Sequence, residues 1–306
     1  MFTYTAPRVP WRSLLEHAAG PLLLPAAHDA LTAKIIERAG FRAYQVGGFA
    51  LTGARHGFPD IDLTHYGEQA AGVHDIVTNC SLPVLVDADD CYGDVKNVTR
   101  VIQGYEFLGA SAIFFEDQKS PKKCGHMAGK EVISAKDMAA KVRAAIAARR
   151  DHNTFIIART DAIAVGGMTD ALRRAELYLE SGADGLFVEG PTSIAELELV
   201  AKTFRDVPKI ANMLEGGGRT PILKPSQLHG MGFQMVTYPT TILFRAAKAI
   251  EQAAQALLNE QPMSSADGID MAHFEEIVGL PNWKRIEENL GPSPGLITRI
   301  AEKVRT

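Results

Sequence analysis

The sequence predicts a single (β/α)8 barrel of TIM type, and three observations predict it. Short apolar, β-branched runs recur along the chain, each followed by a longer amphipathic stretch, the alternation that yields a parallel sheet covered by helices. No Pro-, Gly- or Ser-rich linker interrupts the repeat, and 306 residues suit one large barrel. Polar residues gather where the proposed strands end, the end at which barrel enzymes build their sites. A doubly wound open sheet is the other fold compatible with the alternation.

In chain order, strands are expected near Pro21–Ala27, Ala43–Gly48, Pro83–Asp89, Ala112–Asp117, Thr154–Asp161, Gly185–Glu189, Lys209–Met213 and Met235–Pro239. Helical patterns fill Ala30–Ala39, Asn97–Leu108, Ala135–Ala148, Thr169–Ser181 and Ile194–Phe204. Ser134 with Asp137 and Ser193 with Glu196 have capping-box spacing and mark two helix starts. Gly40, Gly109 and Gly182 stand where three helices should stop. The alanine-rich run Phe244–Leu258 suits a buried helix. We assign residues 1–260 to the catalytic barrel and 261–306 to a helical extension that packs on a neighbouring subunit.

Composition narrows the function classes. The chain is 46% hydrophobic and 22% charged, ordinary for a globular protein. Its 32 basic and 36 acidic residues give −4, with no basic block, so neither nucleic acid nor an anionic membrane has an electrostatic footprint. Cys80, Cys91 and Cys124 are odd in number and unevenly spaced, which points to a reducing compartment. No signal-peptide pattern occupies Met1–Trp11 and no apolar run reaches membrane-spanning length. A cytoplasmic protein acting on a small molecule is expected.

The strand ends supply the candidate site: Asp87 and Asp89, Glu116 and Asp117, Arg159 and Asp161, Glu189, then Asn212 and Glu215. In a parallel barrel these converge on one mouth. Asp87 and Asp89 share a face because alternate strand residues do, and Glu116 arrives from the next strand. Three oxygen donors favour a hard divalent ion, Mg²⁺ or Mn²⁺. Arg159 and Asn212 suit a substrate carboxylate, and Gly47-Gly48 could offer backbone amides to a second one. Tyr44 is expected to point into the mouth, where a phenol could act as base. The run Glu116 to His126 leads from a strand into a loop with Lys122, Lys123, Cys124, Gly125 and His126. A thiol among cations and an imidazole is expected to have a lowered pKa; a basic surface loop with an incidental cysteine is the plainer alternative.

These motifs, with Pro25-Ala26-Ala27-His28-Asp29-Ala30, Gly57-Phe58-Pro59-Asp60, Ala158-Arg159-Thr160-Asp161-Ala162 and Ala211-Asn212-Met213-Leu214-Glu215-Gly216-Gly217, resemble the phosphoenolpyruvate mutase/isocitrate lyase superfamily. The resemblance runs from about Pro21 to Ala247. Its Lys122-Lys123-Cys124-Gly125-His126 loop resembles that of the carbon–carbon lyases, such as 2-methylisocitrate and 2,3-dimethylmalate lyases. It implies Mg²⁺ on Asp87, Asp89 and Glu116, with Mn²⁺ as substitute, and a 2-hydroxy di- or tricarboxylate cleaved to a 2-oxo acid and a second carboxylate. By the same resemblance Tyr44 takes the hydroxyl proton and Cys124 protonates the departing enediolate carbon. Lys122, His126, Arg159 and Glu189 organise charge, while Gly47, Gly48, Asp60, Gly125, Asn212, Glu215, Pro239 and Thr241 bind substrate. A homotetramer with a swapped helix is implied too.

Two departures stand out. Val46 replaces the hydroxyl residue expected before the paired glycines, and Asp90-Cys91 replaces Thr-Gly beside the metal carboxylates. Both suggest weak activity on the standard substrates and an altered surround for the metal. An oxaloacetate hydrolase or decarboxylase is the alternative, in which Thr240-Thr241 would stand for the serine after strand eight; a non-catalytic relative is the third reading.

Overall fold

The structure is a computed structural model that describes residues 9–16 and 19–290. Met1–Arg8, part of the stretch read for targeting signals, lies outside the described residues. The chain divides into two compact units, Met1–Ile250 and Glu251–Thr306. In order, the elements are α1 (Trp11–Glu16), β1 (Leu22–Pro25), α2 (Ala30–Arg38), β2 (Tyr44–Val46), α3 (Gly48–His56), α4 (Tyr66–Val77), β3 (Val84–Asp87), α5 (Val95–Leu108), β4 (Ala112–Glu116) and α6 (Ala135–Ala148). There follow β5 (Phe155–Thr160), α7 (Ile163–Glu180), β6 (Gly185–Val188), α8 (Ile194–Thr203), β7 (Lys209–Asn212), α9 (Pro225–Met231), β8 (Met235–Tyr238), α10 (Thr241–Leu258), α11 (Met271–Ile277) and α12 (Leu280–Leu290).

All eight strands pair in parallel in the order β1-β8-β7-β6-β5-β4-β3-β2. A bridge from Ala26 to Gln45 joins β1 to β2 and completes the ring. Each expected strand forms within a few residues of its predicted limits. Strand residues alternate between two apolar layers. Leu24, Ala43, Leu85, Ala112, Phe114, Ile157 and Ile210 fill the barrel, while Val46, Val84, Val86, Ile113, Phe115 and Ile156 meet the helices. Trp11 of α1 is fully buried with the inner set and donates its indole N–H to Met235 Sδ at 3.5 Å.

The expected helices form as well. Asp137 N–H donates to Ser134 Oγ at 3.1 Å and Glu196 N–H to Ser193 Oγ at 3.2 Å, so both serines cap their helices. Neither pair is a reciprocal box, because Glu196 turns its carboxylate to Thr192 and Asp137 accepts from the Ser134 hydroxyl. Gly40, Gly109 and Gly182 all sit at positive φ beyond helix ends, the region that favours glycine. α7 begins before its expected start, with a break at Gly167 (φ 80°). α3 and α4 carry no clear sequence signal; Leu51, Val73 and Ile76 bury against the outer layer and hold them there.

α10 follows β8 as a long, largely exposed helix. None of its residues is buried, and Phe244 and Ile250 are 40% and 68% exposed. Its first turn packs on the barrel: Phe244 meets Phe49 of α3 edge-on with ring centroids 6.0 Å apart, and Ile242 rests against the outer core. The second unit carries α11, whose N-cap Asp270 accepts from His273 N–H at 2.8 Å, and α12.

Candidate active site

The C-terminal ends of the strands enclose a cavity. Its polar lining includes Asp60, Asp87, Glu116, Arg159, Glu189 and Asn212, and Lys122 to His126 contribute the loop after β4. Its apolar wall is Phe49, Phe114, Phe187, Leu214 and Pro239. The loop is held from several sides. Gln118 pins Lys123 through both main-chain groups, at 2.9 and 2.8 Å, and Cys124 N–H donates to Asp60 O at 3.1 Å. Buried Lys130 grips the Gly125 carbonyl and Asp161 Oδ1, the latter at 2.6 Å. Asp161 also accepts from Arg159 Nε at 3.0 Å, so one carboxylate ties the loop to the end of β5. At Gly125 a Cβ would run into the Arg159 guanidinium and Glu189, so only glycine lets the loop pass this close.

Lys122 ion-pairs with Asp89 and with Asp60, the latter at 2.5 Å. Burial alone would lower its pKa, yet Asp89, Asp60, Glu116 and Asp87 together hold the ammonium protonated well above its usual range. Burial, then the charge of Asp89, pushes Asp87 up to about 6, and burial raises Glu116 well above a normal carboxylate. Opposite them, burial would raise Glu189, but Arg159 and His126 bring it below its ordinary value. His126 Nδ1 accepts from Arg219 N–H at 3.0 Å, which leaves the proton on Nε2, 3.0 Å from Glu189 Oε1. Asn212 donates to Glu189 Oε2 at 3.0 Å.

Cys124 overturns the expected lowered thiol pKa. It is pushed up to about 11, first by burial, with Asp60 and Glu189 adding to burial against the His126 amide and Arg159. The neighbouring cations do not activate it because Lys122 is already matched by carboxylates. At pH 8, iodoacetamide should therefore alkylate Cys124 about 100-fold more slowly than a free cysteine, with a rate rising tenfold per pH unit toward 11. A rate at neutral pH equal to that of glutathione would refute the assignment.

The alternation of β2 supplies a second correction. Gln45 and Gly47 line the cavity, while Tyr44 and Val46 pack in the outer cluster with α2 and α3 residues such as Ile36 and Leu51. The side chains of Tyr44 and Val46 therefore pack toward the helices and not into the mouth. The expectation slipped by one residue, which flips a strand side chain to the other face. Gly48 N–H is already donated to Asp87 Oδ2 at 3.0 Å, and a Cβ there would meet Asp89 at 2.7 Å. Glu215 and Thr241 lie outside the cavity lining; Thr241 donates to Glu215 Oε2 at 2.6 Å, and Arg245 lies 3.6 Å from the same oxygen. Cys91 packs in the outer core, and Asp90 turns back to accept from Tyr92 N–H at 2.7 Å, so neither faces the cavity. Instead Tyr92, unflagged by the sequence, donates its hydroxyl to Asp89 Oδ2 at 2.8 Å. Asp89, Cys91 and Tyr92 all have positive φ, a strained turn of the kind found at functional sites.

Among the described residues no three His, Cys, Asp or Glu side chains close around an ion by themselves. The donors nonetheless suit a hard cation that keeps its waters. Glu116 Oε2 is buried and accepts no hydrogen bond, and Asp87 and Glu116 have proton affinities raised above the usual carboxylate range.

A parallel barrel with carboxylates, an arginine and a thiol at its C-terminal mouth defines a class of enzyme working on small organic acids. The chain matches the family described as phosphoenolpyruvate phosphomutase over residues 11–258 and belongs to it, the phosphoenolpyruvate mutase/isocitrate lyase superfamily. It is 37% identical over 270 residues to 2,3-dimethylmalate lyase of Eubacterium barkeri, covering 88% of this chain and 93% of that one. It is 38% identical over 280-odd residues to 2-methylisocitrate lyase of Halalkalibacterium halodurans, covering 92% of each. Both relatives are carbon–carbon lyases. Among solved structures, oxaloacetate acetylhydrolase with the inhibitor 3,3-difluorooxalacetate aligns with TM-score 0.88 at 26% identity, over 93% of this chain and 97% of that one. Phosphonopyruvate hydrolase complexed with oxalate and Mg²⁺ aligns with TM-score 0.80 at 26% identity, over 91% and 97%. The scaffold is that of a carbon–carbon lyase or hydrolase. No described helix is long and apolar enough to cross a membrane.

Proposed function

We propose that this chain is a Mg²⁺-dependent carbon–carbon lyase that cleaves a 2-hydroxy di- or tricarboxylate of the 2-alkylmalate or 2-methylisocitrate type. The products are a 2-oxo acid such as pyruvate and a carboxylate such as propionate or succinate. The observation that carries this is Cys124 in one cavity with Arg159, Glu189 and the carboxylates Asp60, Asp87 and Glu116. The apolar wall of Phe49, Phe114, Phe187 and Leu214 favours an alkylated malate over an acid with a third carboxylate.

Asp87, Asp89 and Glu116 would hold the divalent ion, Mn²⁺ serving as substitute. When bound, it supplies Lewis-acid polarisation of the oxygen at the carbon that becomes the 2-oxo group. The chain does the rest. Arg159, its Cζ 5.0 Å from the centroid of the Phe187 ring, presents its planar guanidinium to a substrate carboxylate. Asn212, Gly47, Gly125 and Pro239 complete the walls around the acid. With Tyr44 facing the helices, the hydroxyl proton passes to a carboxylate of the mouth. Breaking the C2–C3 bond leaves electron density on the departing fragment, where Arg159 and the His126–Glu189 pair stabilise it. Cys124 Sγ then delivers its proton to that carbon. A thiol held near 11 keeps its proton across the physiological range, which suits an acid better than a nucleophile. Lys122 holds Asp60 and Asp89 in place, and Lys130 keeps the loop over the products.

Oxaloacetate hydrolysis is the second reading, favoured by the likeness to oxaloacetate acetylhydrolase. Against it, Thr240 and Thr241 spend their hydroxyls on Glu215 at 3.0 and 2.6 Å. The protein is further expected to be cytoplasmic, with Cys80, Cys91 and Cys124 as free thiols. Assembly as a homotetramer, with residues 261–306 packed on a neighbour, would cover the apolar side of α10.

The test is release of 2-oxo acid from dimethylmalate, citramalate, methylisocitrate, isocitrate and oxaloacetate, each with Mg²⁺ and with EDTA. Pyruvate from a 2-alkylmalate, lost in EDTA and restored by Mg²⁺ or Mn²⁺, is the expected result. Consumption of oxaloacetate alone would move the assignment to hydrolysis or decarboxylation.

A further inference from the structure

The inner face of β2 holds a polar group that the reaction above does not use. Ala43, Gln45 and Gly47 lie on one face; Ala43 joins the barrel interior, and the next two line the cavity. Gln45 is 2% exposed. Its main chain is engaged, with Gln45 O accepting from Ala27 N–H at 2.9 Å. Its carboxamide hydrogen-bonds no side chain among the described residues, and it is not among the polar atoms sealed off from solvent, so it opens onto the cavity that Gln45 lines. An amide that faces a cavity with no protein partner is free to donate to a ligand there. Above it, a Cβ built on Gly47 would meet nothing within 4 Å, so the space over the carboxamide is open.

We propose that Gln45 is a substrate-positioning residue: its carboxamide N–H donates to a carboxylate oxygen of the bound acid, in the space that Gly47 leaves open. This rests on the reading of the site as one for small carboxylic acids. The neighbouring acidic groups fit a neutral donor here. Asp87 lies two residues beyond Leu85, the register partner of Gln45, and lines the same cavity. A carboxamide can hold the substrate without adding another charge beside it. The oxygen it binds belongs to the half of the acid lying against β2, so Gln45 acts on binding and alignment and not on proton delivery.

The experiment is calorimetric titration of the intact protein with oxalate in Mg²⁺, comparing the parent with Gln45→Leu and Gln45→Ala. Leu matches the apolar surroundings and Ala removes the side chain, so both should keep the parent melting temperature within a few degrees. Loss of one hydrogen bond to a charged group should weaken oxalate binding about 10- to 100-fold in both variants. Affinities within twofold of the parent would overturn the role, as would a parent that binds no oxalate at millimolar concentration. Two variants that fail to fold would also overturn it, making Gln45 a structural residue. A parent that binds oxalate yet cleaves no hydroxy acid would overturn the lyase reading and leave Gln45 standing if its variants lose affinity.

Discussion

Cys124→Ser should lower kcat for 2-alkylmalate cleavage by about 10²- to 10⁴-fold, the usual worth of a positioned general acid. The substitution is nearly isosteric, so the hydrogen bond from Cys124 N–H to Asp60 O and the Lys130 grip on Gly125 should persist. What changes is the acid. An alcohol holds its proton far more tightly than a thiol, even one pushed up to about 11. Oxalate affinity should stay close to the parent value, because Arg159, Gln45 and the carboxylates are untouched. A fall in kcat without a change in oxalate binding would locate the loss in proton delivery. Turnover within threefold of the parent would remove Cys124 from the mechanism, and it would favour oxaloacetate decarboxylation, which needs no proton from this loop.

The second large effect is on stability. Asp117→Ala should destabilise the fold by about 3–5 kcal/mol, the cost of breaking a buried ion pair by removing one partner. Asp117 is fully buried and accepts from Thr160 Oγ1 at 2.8 Å, Asp161 N–H at 2.9 Å, Tyr178 OH at 2.7 Å and Arg174 Nη1 at 3.2 Å. Burial raises its pKa, and these donors only partly offset that. Without the carboxylate, the Arg174 guanidinium keeps Asp170 and the Ile133 carbonyl but loses its innermost partner. Asp117→Asn, which retains acceptor and shape, should cost less. Urea denaturation measures both; a change below about 1 kcal/mol for the alanine variant would show that the network is not coupled to folding. Because Asp161 is also the anchor of Lys130 and Arg159, the alanine variant should lose activity faster on warming than its global melting predicts.

Asp117 also illustrates what a strand can hide. It directly follows Glu116, and both read as polar residues at a strand end. Glu116 lines the cavity, whereas Asp117 serves the packing of α7 through Arg174 and Tyr178. The same ambiguity governed β2. Reading Tyr44 and Val46 as mouth residues placed the correct motif on the wrong face, and Gln45 and Tyr92 passed unnoticed as ordinary polar and aromatic positions. No local signal separates the two faces of a strand buried on both sides, since each is apolar along most of its length.

The thiol shows a second kind of limit. Counting Lys122, Lys123 and His126 beside Cys124 suggested an activated thiolate, but charges act through distance and desolvation. Asp60 and Asp89 neutralise Lys122, and burial outweighs what remains. Sequence neighbours on a loop are not spatial neighbours of equal weight.

The sequence by itself determined the barrel, its eight strands, most of its outer helices and the set of strand ends that make the mouth. These follow from local properties: β-branched runs, amphipathic periods, serine caps and glycines that accept positive φ. Only the tertiary structure decided which side of each strand a residue faces, which cations are already paired and how tightly Cys124 keeps its proton. Those depend on burial and on contacts between residues far apart in sequence, and pattern along the chain carries neither.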